Sequence, residues 1–304
     1  MLHLAYSPLY SEGISPDARF PRARYARVRE RLEPARAAGR IAFHEPEPID
    51  AADLWRAHDV DYVRAFLEGT LPAREVRRIG IRPWTASFVE RVLRLTGGTL
   101  SALQALARGA RIAGNVAGGT HHAHHAQGGG YCVFNDLAIA ARVALDELGW
   151  GRVLVVDLDV HHGDGTAALF ADEPRVHTLS FHARLNFPRD KPPSDRDVAF
   201  EDGTRDAEYL AALELELPRA LEASRPDLIL FQAGVDALEA DSLGRLSLTR
   251  LGLQARNRLV FAAAAEAGCP LLLTMGGGYG KPLEASLEAH ADLFLAASEV
   301  AAQA

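Results

Sequence analysis

Apolar residues fall along this chain in two alternating rhythms. Short, largely apolar runs occur at 112–116, 153–156, 176–179, 228–231 and 271–274. Around them lie longer stretches in which apolar positions recur every three or four residues, at 88–107, 137–148, 207–223, 248–267 and 283–297. The short runs, bounded by turn residues, read as buried strands and the longer stretches as helices. Strand and helix taken in turn predict an α/β fold, an open, mostly parallel sheet with helices on both faces. Ligands bind such sheets outside the carboxyl ends of the strands. Polar or glycine-rich loops follow all five runs, at 118–131, 157–165, 180–182, 232–241 and 276–280.

The densest of these loops closes the run Val153 to Val156 with Asp157-Leu158-Asp159-Val160-His161-His162-Gly163-Asp164-Gly165. Side chains alternate faces along a strand, so Asp157, Asp159 and His161 share one side if the extended geometry continues. Carboxylates at the end of a buried strand are costly unless paired, and a divalent metal is the natural partner. The competing reading is an acidic strand-to-loop junction with a helix-capping aspartate. A later loop, Ala233 to Asp241, supplies Asp236. With Asp159 and His161 it completes an Asp/His/Asp set that leaves a coordination position for water, as in catalytic zinc sites. Taken alone, Asp236 could instead cap a helix.

Gly118 to His125 carries four histidines. Neighbouring side chains on an extended segment diverge, so His121 and His122 are not expected to chelate one ion together. They suit flanking a reacting group, each oriented by a carboxylate through its other ring nitrogen. His124 and His125 are expected to face solvent. Gly128-Gly129-Gly130 then permits unusual dihedrals or close backbone approach before Tyr131. This suits the wall of a narrow channel, or a plain loop before a helix capped by Asn135. Met275 to Gly280 lacks the Lys-Ser/Thr of a phosphate-binding loop and the GxGxxG pattern. Tyr279 held there could offer its hydroxyl to a developing oxyanion.

Composition narrows the class. The chain has 304 residues, 48% hydrophobic and 24% charged, and no linker divides it, so one large domain is expected. A net charge of −7 argues against a nucleic-acid binder. No apolar stretch approaches a membrane span. The N-terminus lacks the features of a signal peptide, and Cys132 and Cys269 provide no disulfide framework. A cytoplasmic protein is expected. The Ala/Leu-rich C-terminal helices suit core or interface, core being the commoner case, and leave the oligomeric state open.

Together these blocks resemble the histone deacetylase family, within the arginase/deacetylase fold. The resemblance rests on Gly118-Gly119-Thr120-His121-His122, Gly130-Tyr131-Cys132, Asp157 to Gly165, Gly234-Val235-Asp236 and Gly277-Gly278-Tyr279. It runs in order from about Leu4 to the C-terminal helix and implies a sheet of about eight strands in a single domain, 1–304. It implies Zn2+, or Fe2+ in vivo, bound by Asp159, His161 and Asp236, with His121 paired to Asp157 and His122 to Asp164. Tyr279 would face the metal across the scissile amide. Gly130, Tyr131, Phe187, Gly277 and Gly278 would line a channel for an acyl-lysine stem. A structural K+ site would use Asp157, Asp159, His161, Ser180 and Phe181, several through backbone carbonyls. His162 is not expected to be a ligand. Asp236 to Ser247 and Gly278 to Lys281 resemble the class IV branch, whereas His161 to Gly165 is closer to classes I and II.

The implied activity is removal of an acetyl or longer acyl group from acylated lysine in a protein or peptide. Acetylated polyamines or other small acylated amines are the alternative substrates. A catalytically silent acyl-lysine binder would lack a catalytic residue, and all the implied ones are present. A binuclear manganese hydrolase of the arginase type would need further bridging carboxylates where this chain has His121-His122.

Overall fold

A computed structural model of the chain describes residues 1–82 and 84–303; Pro83 and Ala304, the last residue of the expected domain, lie outside them. Among the described residues eight strands form one sheet in which every pairing is parallel. They are β1 (Leu2–Ala5), β2 (Ile41–His44), β3 (Ile112–Asn115), β4 (Val153–Asp157), β5 (Val176–Ala183), β6 (Arg196–Phe200), β7 (Leu228–Gln232) and β8 (Leu271–Thr274). Across the sheet the order is β2-β1-β3-β8-β7-β4-β5-β6. The central strands β3, β8, β7 and β4 are buried at every position, which a parallel sheet achieves only with cover on both faces.

The five apolar runs and the five periodic stretches appear as expected, the latter as helices Ala86–Ala107, Asp136–Asp146, Asp206–Ser224, Arg250–Glu266 and Leu283–Gln303. Asn135 caps the second of these by accepting from the Ala138 amide at 2.9 Å. β1, β2 and β6 escape the pattern for a physical reason. β2 and β6 are the half-exposed edges of the sheet, and β1 is interrupted by His3. One expectation fails in detail. Extended geometry stops at Asp157, so Asp159 and His161 stand on a bent loop rather than a continued strand.

Candidate active site

The loops after β3, β4, β7 and β8 converge at the carboxyl edge of the sheet. At their centre His161 Nδ1 lies 3.0 Å from Asp159 Oδ1 and 3.1 Å from Asp236 Oδ2. All three side chains are nearly or wholly buried. The remaining carboxylate oxygens are already satisfied. Asp159 Oδ2 accepts from Gln232 Nε2 at 2.8 Å and from the Gly277 amide at 2.9 Å. Asp236 Oδ1 accepts from the Val160 amide at 2.9 Å. Three donor atoms are thus left facing one point, the two carboxylates held by a second layer of hydrogen bonds, as metal ligands are. No helix begins at Asp236, so it is not a cap.

Electrostatics agrees with a cation here. Burial and the charge of Asp159 push the Asp236 carboxyl up. Burial works against a charged His161, yet its hydrogen bonds to Asp159 and Asp236 lift it to about 10. The negative charge that holds this proton would hold a divalent ion in the proton's place. The donor set fits zinc or a neighbouring transition metal.

His121 and His122 stand beside this set on a turn, not on an extended segment, and their rings lie side by side at 4.1 Å. His121 Nδ1 donates to Asp157 Oδ2 and His122 Nδ1 to Asp164 Oδ1, both at 2.6 Å. The two imidazoles titrate in opposite directions. Burial opposes charge on His121, but Asp157 and Asp159 outweigh it and raise the pKa to about 9. Burial and the neighbouring His121 lower His122 to about 4, against the pull of Asp164. A cavity of about 400 Å³ runs past both rings. Tyr279 lines it, and burial raises its phenol well above the usual value, so the hydroxyl keeps its proton. Tyr131, at φ 69°, is held in this strained conformation by its amide donating to Ile79 O at 2.8 Å.

Sequence comparison decides the family. The profile described as Histone deacetylase domain matches residues 18–294. The chain belongs to the histone deacetylase domain family. An uncharacterized protein of Picosynechococcus sp. is 41% identical over 98% of both chains. Histone deacetylase 2 of Arabidopsis thaliana is 33% identical over 77% of this chain and 63% of its own length. Acetoin utilization protein AcuC of Bacillus subtilis is 31% identical over 77% of this chain and 66% of its own. A deacetylase-type hydrolase acting on amides, of a generally metal-dependent family, follows. Among the described residues no helix is long and apolar enough to cross a membrane.

Most residues singled out by the histone deacetylase resemblance meet in this one place. Gly130, Tyr131, Phe187 and Gly277 line the cavity, and the Phe187 ring stands edge-on to His122 at 4.9 Å. Gly278 does not line it. That glycine sits behind the wall, where an added Cβ would meet His290, Val235 and Ser286. Asp157 and Ser180 are register partners on β4 and β5; Ser180 Oγ pairs with His182 Nδ1 at 3.0 Å, and the Phe181 ring packs on Phe200 and Tyr209. His124 is only partly exposed. Its Nε2 donates to the second oxygen of Asp164 at 2.8 Å, giving that carboxylate two imidazole partners. His125 is exposed, as expected.

Several supporting residues carried no local signal. Asp136 accepts from the Gly119 and Thr120 amides at 3.1 and 2.7 Å and so anchors the histidine loop. Asp241 accepts from the Tyr279 amide at 2.6 Å and from those of Leu243 and Gly244. The fully buried Arg256 donates to the carbonyls of Leu158, Ala233 and Gly234, clamping the two loops that bear Asp159 and Asp236. Only the position of Asp136 directly after a helix cap hinted at such a role.

Proposed function

We propose that this protein is a zinc-dependent amidohydrolase that removes an acetyl or longer acyl group from the side-chain amine of acyl-lysine. The convergence of Asp159, His161 and Asp236 with two carboxylate-paired histidines and Tyr279 in one cavity carries this reading. Asp159, His161 and Asp236 would hold the metal, which supplies Lewis acidity toward the amide carbonyl and lowers the pKa of water. A structural K+ beside Asp157, Asp159, His161, Ser180 and Phe181 belongs to the same proposal.

The remaining work falls to side chains. His122, unprotonated at neutral pH and fixed through Nδ1, presents Nε2 to take a proton from the attacking water. The proton then passes to the nitrogen of the departing amine as the carbon–nitrogen bond breaks. His121 keeps its charge beside Asp157, orients the water and stabilises the developing negative charge. Tyr279 donates its hydroxyl hydrogen to the carbonyl oxygen as it becomes an oxyanion. Tyr131 and Phe187 flank the acyl-lysine stem. The cavity continues to Val92, Leu95 and Thr96, which supports room for an acyl chain longer than acetyl. A cytoplasmic location goes with a lysine-bearing protein substrate.

The test is turnover of a panel from acetyl- to myristoyl-lysine peptides, run beside acetylated polyamines, with zinc-loaded protein and Tyr279→Phe as control. Turnover of acyl-lysine, lost in Tyr279→Phe with zinc retained, is expected. Turnover of acetylpolyamines alone would overturn the lysine assignment.

A further inference from the structure

His161 turns toward the cavity; its neighbour His162 turns the other way, away from Asp159 and Asp236. His162 is fully buried, and its Nε2 lies 3.1 Å from Asp197 Oδ1. The ring of His182 stands perpendicular to it at 4.7 Å. One donor atom each from His162, His182 and Asp197 fall within 4.8 Å of one another. The partners behind two of these donors are already in place. Ser180 Oγ occupies His182 Nδ1 at 3.0 Å, while the Ser194 amide occupies Asp197 Oδ2 at 3.0 Å and leaves Oδ1 to face His162 Nε2, which the Ser194 hydroxyl also approaches at 3.4 Å. His162 Nδ1 is buried with no hydrogen-bond partner among the described residues, so this ring is not there to satisfy a polar network through both nitrogens.

We propose that His162, His182 and Asp197 form a second divalent transition-metal site, separate from Asp159, His161 and Asp236. Two imidazoles and one carboxylate with outer hydrogen bonds suit zinc, or Fe2+ and Co2+ in its place. The 3.1 Å between His162 Nε2 and Asp197 Oδ1 is close to the ligand–ligand spacing of a tetrahedral ion with bonds of about 2.0–2.1 Å. Asp197 is about one-third exposed, which leaves a path for the ion to enter. Its effect follows from the connectivity. Asp197 is the second residue of β6, which follows the loop that carries Phe187, so the ion ties that loop and the edge strand to the ends of β4 and β5. Consecutive histidines thereby serve two metals, one for chemistry and one for the shape of the channel mouth.

Metal stoichiometry decides it. Apo protein reloaded with Zn2+ and dialysed is expected to hold about two ions per chain by elemental analysis, falling to about one in Asp197→Asn and in His182→Gln. Asp236→Asn, which removes the other set, is expected to retain about one ion, held by the second site. Loss in the Asp197 and His182 variants is therefore distinct from failure of the catalytic assignment. Zinc should also slow proteolysis within 184–195 in the wild type and not in Asp197→Asn. A wild type that binds one ion, or an Asp197→Asn protein that binds as many as the wild type, overturns the proposal.

Discussion

Gly277→Ala is the sharpest test of the catalytic geometry, because one methyl group meets the proposed ligands directly. The φ of Gly277 is not in the left-handed region, so alanine can adopt the backbone and the objection is steric alone. The added carbon would lie 1.9 Å from Asp236 Oδ2 and 2.8 Å from Asp159 Oδ2. Close carbon–oxygen contacts sit near 3.3 Å, so loop or carboxylate must move by more than about 1 Å. The loop is poorly placed to yield, since Gly277 donates to Asp159 Oδ2 at 2.9 Å and accepts from the Val235 amide at 2.8 Å. Ligand distances tolerate about 0.2 Å, and a misplacement of about 1 Å costs roughly 100-fold in rate, equivalent to about 2.7 kcal/mol. The assay is kcat/KM on the best acylated amine together with bound zinc. Gly129→Ala serves as control, its nearest neighbour being Arg78 Cγ at 3.6 Å. A Gly277→Ala enzyme with full zinc and kcat/KM within about threefold of wild type would refute the reasoning.

Asp164→Asn removes the carboxylate shared by His122 and His124; kcat should fall by about 10²–10⁴, and an unchanged kcat in steady-state assays would show that His122 needs no such partner. Arg256→Met leaves three buried carbonyls without their donor, at about 1–3 kcal/mol each; urea unfolding should show a loss of at least about 3 kcal/mol, and a loss below about 1 would be contrary. His58 gives a pH-dependent term. Burial lowers its pKa from 6.5 to about 4 while Nδ1 meets His124 O and Nε2 accepts from the Asn135 amide. The unfolded chain then binds more protons between these values. Stability is full above about pH 6.5 and declines toward pH 4 by up to about 3 kcal/mol. His58→Gln should flatten this decline in unfolding curves taken from pH 4.5 to 7.5, and an unaltered slope would count against it.

What could be read along the chain follows burial and spacing. β3, β4, β7 and β8 are apolar up to their last residues, Asn115, Asp157, Gln232 and Thr274, because both faces are covered, so they stood out, as did the loops at their ends. β2 and β6 mix polar and apolar positions because each has an open side. The pairings of His121 with Asp157 and His122 with Asp164 came from resemblance; no local pattern links residues 36 and 42 positions apart. Gln232, Asp241 and Arg256 are single polar residues whose partners come from distant loops, and nothing beside them announces the role. His124 was misjudged because a run of histidines suggests a solvated tract, whereas the turn at residues 121–122 swings it onto Asp164.

The strand order also bears on how the chain is made. β7 and β8 are the last strands to emerge, yet they lie between β3 and β4. Until they arrive, β1–β3 and β4–β6 can form only two half-sheets, each with an unpaired inner edge that is apolar on both faces. At about 5–20 residues per second, the stretch from Asp157 to Thr274 occupies roughly 6–25 seconds. During that interval β3 and β4 are open to pairing with other nascent chains. A stop codon ahead of β7 would therefore yield an adhesive fragment rather than a smaller enzyme.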